Sequence, residues 1–353
     1  MSDFSKYKTM ELPRTVVVGH GVLPSIPENC DRIGLPKSAL IVADIVTKTI
    51  AGDETARLLE EAGYSIDTVV IKDADAETVS AVQETAAGIG PVFLAGVGGG
   101  RPIDVAKCAS FNVGMPFISV PTAASHDGIV SSRASITVNG VKESLDAQTP
   151  IAVFADTGII VKSPFRMLAA GCGDIISNKT AVLDWKLAHK VRKEEYSSYA
   201  GTLSEITADM LIENADQIKP GVEESAWQVI KALVSSGVAM SIAGTSRPAS
   251  GSEHKFSHAL DRLAKKPALH GEQCGLGAIM MMSLHGGKWE DIRDALRTIG
   301  APVTARDAGL APQEVIKALV VAKDIRPDRY TILGHEVLTA ERAEKLASGT
   351  GVI

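Results

Sequence analysis

Cysteine is scarce in this chain. Four cysteines in 353 residues, at positions 30, 108, 172 and 274, never reach a C-x-x-C spacing. That excludes a zinc ribbon or a dithiol redox pair and leaves four buried, reduced thiols as the expectation. Charge of one sign is also missing: 36 Lys and Arg against 42 Asp and Glu give a formal net charge of −6 with no block of like charge, which favours neither nucleic acid nor an anionic membrane surface as a partner. No uninterrupted apolar run approaches the length that spans a bilayer, so no integral membrane segment is expected. Residues 1–8 lack the basic-then-apolar pattern of a secretory leader, and a cytoplasmic location is the expectation. There is no internal repeat, no low-complexity linker and no G-x-G-x-x-G fingerprint.

What is present is globular. With 22% charged and 45% hydrophobic residues, a chain of this length exceeds one ordinary core, and two domains are expected, residues 1–163 and 164–353. Short β-rich runs at 15–19, 38–44, 68–71, 92–97, 117–122 and 151–156 alternate in the first half with amphipathic stretches such as 53–62 and 76–87. That order predicts an α/β domain: parallel strands joined by crossover helices, in a Rossmann-like sheet covered on both faces. Asn139-Gly140 between β-rich flanks predicts a tight hairpin inserted between the last two strands. Beyond Pro164 the pattern is all-helical, with segments at 202–215, 224–235 and 289–297. The absence of a linker predicts close packing and a cleft between the domains.

Three motifs carry chemistry. The run at 92–97 enters Gly98, Gly99, Gly100, Arg101 and Pro102, followed by a helix-compatible segment at 103–110. A strand, glycine loop and helix in that order bring backbone N–H groups onto a phosphate, although a triple glycine is equally a simple turn. The next strand ends in a second loop, residues 121–128, at the carboxyl edge where ligands of open α/β sheets gather. Asp44, ending an earlier strand, either accepts from a ribose hydroxyl or caps a helix. Gly171 and Gly173 precede Asp174, which reads as a carboxylate at a helix start, a dipole-compatible cap or a metal ligand.

The segment 251–270 holds three of the eight histidines. Phe256, Ala259, Leu260, Leu263 and Ala264 recur as one helical stripe, while His254 and His258 share a stripe almost opposite and so face away from the core that helix builds. In a cleft they would be ligands; on a free surface they would be ordinary solvated residues. Pro267 should end that helix and let His270 return toward His254 from another direction. One Asp with two His and open coordination positions is a catalytic-metal arrangement. Lys255 follows His254 where a metalloprotease helix needs Glu, which argues against a protease.

Together, residues 98–104, 121–132, 171–174, 252–254 and 270–273 resemble the iron-containing alcohol dehydrogenase and glycerol dehydrogenase superfamily over nearly the whole chain. Within it the resemblance is to the archaeal branch that acts on sn-glycerol 1-phosphate. It implies the dehydroquinate synthase-like, glycerol dehydrogenase-like architecture and makes Asp174, His254 and His270 ligands of one divalent metal, usually zinc. It places Gly98, Gly99, Gly100, Arg101, Pro102, Thr122, Ala123, Ala124, Ser125 and Ser131 against NAD(P)H. Asp127 and His258 would face the substrate as catalytic groups, and the substrate would also meet Asp174. Arg101 stands where relatives often have Lys, an exchange of one cation for another. The implied reaction is reversible reduction of dihydroxyacetone phosphate to sn-glycerol 1-phosphate, supplying the backbone of archaeal membrane phospholipids, in a homo-oligomer. Lys179, Arg262 and Lys265 are candidates for the substrate phosphate. Three alternatives differ in chemistry: a glycerol dehydrogenase on unphosphorylated polyol, a dehydroquinate synthase-like cyclase without net redox change, and a non-catalytic nucleotide- or metal-binding protein.

Overall fold

The computed structural model describes residues 9–353, so the segment read above for a leader pattern lies outside the described residues. The first half runs β1 (Thr15–Gly19), α1 (Ile26–Arg32), β2 (Ser38–Asp44), α2 (Ile45–Thr47), α3 (Asp53–Glu61), β3 (Ser65–Ile71), α4 (Ala76–Ile89), β4 (Phe93–Gly98), α5 (Gly100–Val113) and β5 (Phe117–Pro121). It continues through β6 (Arg133–Val138), β7 (Val141–Asp146), β8 (Ala152–Asp156) and α6 (Thr157–Ile160). Six strands form one parallel sheet in the order β1-β8-β5-β4-β2-β3. Strand β2 explains why its sequence is an unbroken apolar run. Ala39, Ile41 and Ala43 join a core with Ile26 and Leu59 on one face, while Leu40 and Val42 join a different core on the other. Both faces are covered, so neither needs polar residues.

The chain reverses its direction of progress through the sheet between β2 and β4, and at such a point the carboxyl ends of the strands leave a crevice. Asp44 and Gly98 end those two strands. The hairpin β6-β7 turns at Asn139 and Gly140, both with positive φ (51° and 76°), as a two-residue turn of this hand requires. It lies between β5 and β8 in sequence, pairs as a separate ribbon, bridges to Asp75 through Thr137 and packs β7 on the histidine-bearing helix.

The second half is helical: α7 (Phe165–Arg192), α8 (Ser198–Glu213), α9 (Glu223–Ala243), α10 (Ser252–Leu263), α11 (His270–Leu284), α12 (Trp289–Ile299), α13 (Pro312–Val321), α14 (Ile332–His335) and α15 (Ala340–Gly349). One expectation is corrected here. Asp174 does not open a helix; it sits inside α7, which starts at Phe165 after Pro164 and runs through both glycines. Those glycines serve contact rather than a break. A Cβ on Gly171 would stand 2.1 Å from the Ala124 carbonyl oxygen, and one on Gly173 would stand 2.4 Å from that of Gly271. Each lacks a side chain so that a neighbouring backbone can touch the helix.

Helix α9 is long and apolar enough to cross a membrane by length and composition, but 56% of its most apolar window is buried inside the fold. It packs on α7 and α8 as a core helix. One core continues from a face of the sheet, through Leu94, Ile103 and Ile129, into Ile175, Val229, Phe256 and Ile279 of the helical half. A single apolar interior therefore holds the two halves in register around the cleft.

Candidate active site

The cleft has a volume of about 1230 Å3 and is walled on one side by the carboxyl ends of β2, β4 and β5 and on the other by α10 and α11. On the sheet side, Gly99 is the N-cap of α5, so the helix begins at Gly100, three residues earlier than its apolar pattern indicates. Gly98 carries φ +151°, and a Cβ there would lie 2.8 Å from both Thr47 Oγ1 and Pro102 Cγ, which leaves glycine as the residue that fits. Gly99, Gly100, Arg101, Pro102, Thr122, Ala123, Ser125 and Ser131 line the cleft. Gly98 and Ala124 are buried and are not among its lining residues; Ala124 instead presses its carbonyl on Gly171.

Asp44 combines both of its sequence readings. Its Oδ1 accepts from the backbone N–H groups of Val46 (3.0 Å) and Thr47 (2.9 Å), capping α2, while its Oδ2 lies 3.8 Å from Arg101 at the cleft wall. His126 went unnoticed in the sequence. Its ring occupies the place a Gly100 side chain would take, 2.4 Å from that Cβ position, which makes glycine the residue that fits there. The one available signal was an imidazole inside the second loop motif.

On the helical side, α10 ends at Leu263 and α11 begins at His270, which brings His270 within 4.9 Å of His254, ring centre to ring centre. Phe256, Ala259 and Leu260 of the apolar stripe are fully buried, and His254 and His258 face the cleft; Leu263, at the end of the helix, is exposed. The Oδ1 of Asp174 lies 3.5 Å from His254 Nε2 and 3.6 Å from His270 Nε2. The same oxygen is buried and has no hydrogen-bond partner, an arrangement proteins avoid unless something else satisfies it. Donors bound at about 2.0 Å to a common tetrahedral ion stand about 3.3 Å apart, so the spacing suits a shared metal better than a hydrogen bond. Cys274 Sγ belongs to the same cluster, with all four donor atoms within 4.8 Å of one another.

Neighbouring groups set the imidazoles. Glu253, fully buried, approaches His254 Nδ1 at 3.0 Å and also accepts from Thr180 Oγ1 and the Gly251 N–H. Ser257 Oγ lies 3.2 Å from His270 Nδ1. Both contacts favour a proton on Nδ1 and leave Nε2 facing Asp174. Burial opposes the charge on His254, yet the Cys274 sulfur, Asp174 and Glu253 raise its pKa well above the usual value. Burial also works against ionisation of Asp174, but the adjacent His254 and His270 imidazoles hold its carboxyl down at about 2. His270 and His258 are both pushed down by burial. Asp127 donates its backbone N–H to Asp174 Oδ2 at 2.9 Å and accepts from Ser236 Oγ at 2.9 Å; burial and the Asp174 charge raise its carboxyl to about 7. His258 Nδ1 lies 3.9 Å from Asp261 Oδ2.

The cations named for a substrate phosphate are placed elsewhere. Lys179 pairs with Asp209 at 2.7 Å, and neither it nor Arg262 nor Lys265 lines the cleft. The cations that do are Arg101, Arg133, Lys142, Lys162 and Arg326. Hairpin β6-β7 contributes two of them, and Lys142 Nζ lies 3.5 Å from Asp261 beside His258. Sequence proximity to the histidines was the wrong guide, because the hairpin reaches them only through the tertiary fold.

An all-parallel sheet, a helical second half and a carboxylate with two imidazoles in the cleft between them define a metal-dependent, dinucleotide-linked class of site. Residues 17–164 match the family model described as iron-containing alcohol dehydrogenase. Over 346 residues the chain is 59% identical to glycerol-1-phosphate dehydrogenase [NAD(P)+] of Methanosarcina mazei, covering 98% of this chain and 97% of that one. It is 53% identical to the protein of the same name from Methanothermobacter thermautotrophicus, covering 98% and 99%. The chain belongs to the glycerol-1-phosphate dehydrogenase family. Among solved structures, the fold is similar to a probable glycerol dehydrogenase from Sinorhizobium meliloti (TM-score 0.78, 20% identity, 98% of each chain). It is also similar to sulfoacetaldehyde reductase from Bifidobacterium kashiwanohense, solved in complex with NAD+ (TM-score 0.75, 16% identity, 98% and 99%).

Proposed function

We propose that this chain catalyses the reversible, NAD(P)H-linked reduction of dihydroxyacetone phosphate to sn-glycerol 1-phosphate. The observation that carries the reading is the orphaned Asp174 Oδ1 set between two imidazole nitrogens, in a full-length relative of glycerol-1-phosphate dehydrogenases. In this reading Asp174, His254 and His270 hold one divalent ion, zinc in the resting enzyme. The glycine loop, Thr122, Ala123, Ser125 and Ser131 seat the dinucleotide, with Gly98 and Ala124 shaping that wall from beneath and Asp44 meeting the ribose. When bound, the nicotinamide supplies the hydride and the ion supplies Lewis acidity toward the ketone oxygen.

The chain's own residues do the rest. Glu253 and Ser257 fix the imidazole tautomers, and the wall of α10 and α11 positions the ketone against the nicotinamide face. His258, kept neutral by burial, orients the substrate or passes a proton to its oxygen, and Asp261 near Nδ1 favours the tautomer with the proton there. Asp127, its carboxyl pushed up by burial and by the Asp174 charge, binds a substrate hydroxyl. Supply of the glycerophosphate backbone of archaeal membrane phospholipids, a cytoplasmic location and a homo-oligomeric state belong to the same proposal. The test is NADH oxidation with dihydroxyacetone phosphate and with dihydroxyacetone, followed by enantiomer analysis of the product. A much higher kcat/KM for the phosphorylated ketone and sn-1 product are expected. Equal values for the two ketones would move the assignment to a glycerol dehydrogenase, and no net NADH consumption would end it.

A further inference from the structure

We infer that Cys274 is a fourth protein donor to the metal site, which makes the donor set one carboxylate, two imidazoles and one sulfur. The inference rests on the metal reading above and extends it to a residue that reading does not use. Cys274 lies on α11 one turn after His270, so the two side chains project from the same face of the helix. Its Sγ is 3.6 Å from His270 Nε2. That separation fits a sulfur–nitrogen hydrogen bond in the metal-free site and equally matches the edge of a tetrahedron. An ion about 2.3 Å from sulfur and about 2.0 Å from nitrogen holds those two donors about 3.5 Å apart. The independent pointer to a ligand is Asp174: 2% exposed, its Oδ1 has no partner and faces the same point as the two imidazole nitrogens.

Cys274 is fully buried, which removes it from reaction with bulky external reagents, and the three remaining cysteines lie outside the cluster. A bound ion displaces the thiol proton, which leaves to bulk water, and the sulfur then carries the negative charge. Two anionic donors lower the net charge of the site and favour a thiophilic ion such as zinc over iron. Asp174, His254, His270 and Cys274 would hold the ion, which would still supply Lewis acidity toward a substrate oxygen, because catalytic zinc tolerates an expanded ligand set.

The experiment is cobalt substitution of the full chain. Metal is removed with a chelator, Co2+ is restored, and the absorption spectrum is recorded for the wild type, Cys274→Ser and the shape-preserving Cys274→Val. A thiolate-to-cobalt charge-transfer band in the near ultraviolet is expected in the wild type and absent from both variants, while visible d–d bands persist in all three. Competition with a chromogenic chelator should show zinc held about 10–100-fold more weakly by the variants, the range seen when a supporting group around a metal is removed. Cobalt bound with d–d bands but no charge-transfer band in the wild type overturns the inference and leaves the proposed function standing. So does a band that survives in Cys274→Val. Failure of the wild type to bind cobalt or zinc at all sinks the metal reading and this inference together.

Discussion

On the sheet side of the cleft, what faces a ligand is largely backbone: the glycine loop, the N-terminus of α5 and the ends of three parallel strands. On the helical side it is side chains, with Asp174, His254, His270 and Cys274 converging from three helices. Glycine serves the two sides differently. On the sheet side, Gly98 and Gly100 make room for side chains and Gly99 has nothing within 4 Å of where a side chain would sit, whereas a Cβ on Gly271 would stand 1.8 Å from the backbone carbonyl oxygen of Ala170. A backbone-built wall tolerates chemistry at its surface. A side-chain-built one depends on helices pressed together until no Cβ fits between them.

The largest expected effect tests that contrast directly. Gly271→Ala forces α7 and α11 apart at the point where Asp174 and His270 must meet, and should cost more than about 3 kcal/mol as severe overpacking, with loss of bound metal. Urea unfolding and elemental analysis measure both. A Gly271→Ala protein as stable as the wild type would show that the helices have room to spare.

Next come the histidines. His270→Ala removes a ligand and should lower metal content and activity together. His258→Ala should keep metal near the wild-type level while kcat falls ~10²–10⁴-fold, the range for a positioned acid or base. Metal analysis of the two purified variants decides this, and the reverse pattern would exchange their roles.

Proton release should mark the helical wall alone. The His254 pKa is raised in the metal-free site, so that group adds stability fully present below its unfolded pKa and lost as pH rises through the folded one. Metal must displace that proton, so affinity should fall as pH is lowered. Near neutral pH, the calorimetric heat of zinc binding should then change with the ionisation enthalpy of the buffer. A heat independent of buffer contradicts the proton on His254.

Smaller still, Gly99→Ala should change stability by less than about 1 kcal/mol, since a methyl there meets only the open cleft, yet raise the KM for NADH several-fold. Last, Asp44→Ala loses a cap, about 1 kcal/mol by thermal unfolding, and should shift preference toward NADPH by removing a carboxylate that repels a 2′-phosphate. An unchanged cofactor ratio with the stability loss intact would leave Asp44 as a cap alone.

Much of the sheet side was legible because its signals are local. Strand β2 spans the residues its apolar run marked, and the Asn139-Gly140 hairpin sits where the dipeptide placed it. On the helical side, the segments read at 202–215, 224–235 and 289–297 overlap α8, α9 and α12, while the site itself was legible where period and a breaker coincided, as at His254, His258 and Pro267. Asp174 was misread as a helix start because two glycines look like a break until the helices they admit are known. Glu253, Cys274 and Lys142 were missed for a related reason: a buried carboxylate, a lone thiol and a hairpin lysine acquire meaning only from neighbours brought by the tertiary fold.

Asp44 ends β2, Gly98 ends β4, and the candidate metal donors stand on α7, α10 and α11. Because these groups ride on separate elements, exchanging a strand-end residue leaves the contacts among α7, α10 and α11 in place, and on the proposed reading it would alter cofactor choice without moving the ion. The hairpin supplies a third wall of the cleft, tied to α10 through Lys142 and Asp261. The architecture thus offers divergence a set of independent dials, and a duplicated copy could change its reductant or its ketone in single steps while retaining a working centre throughout.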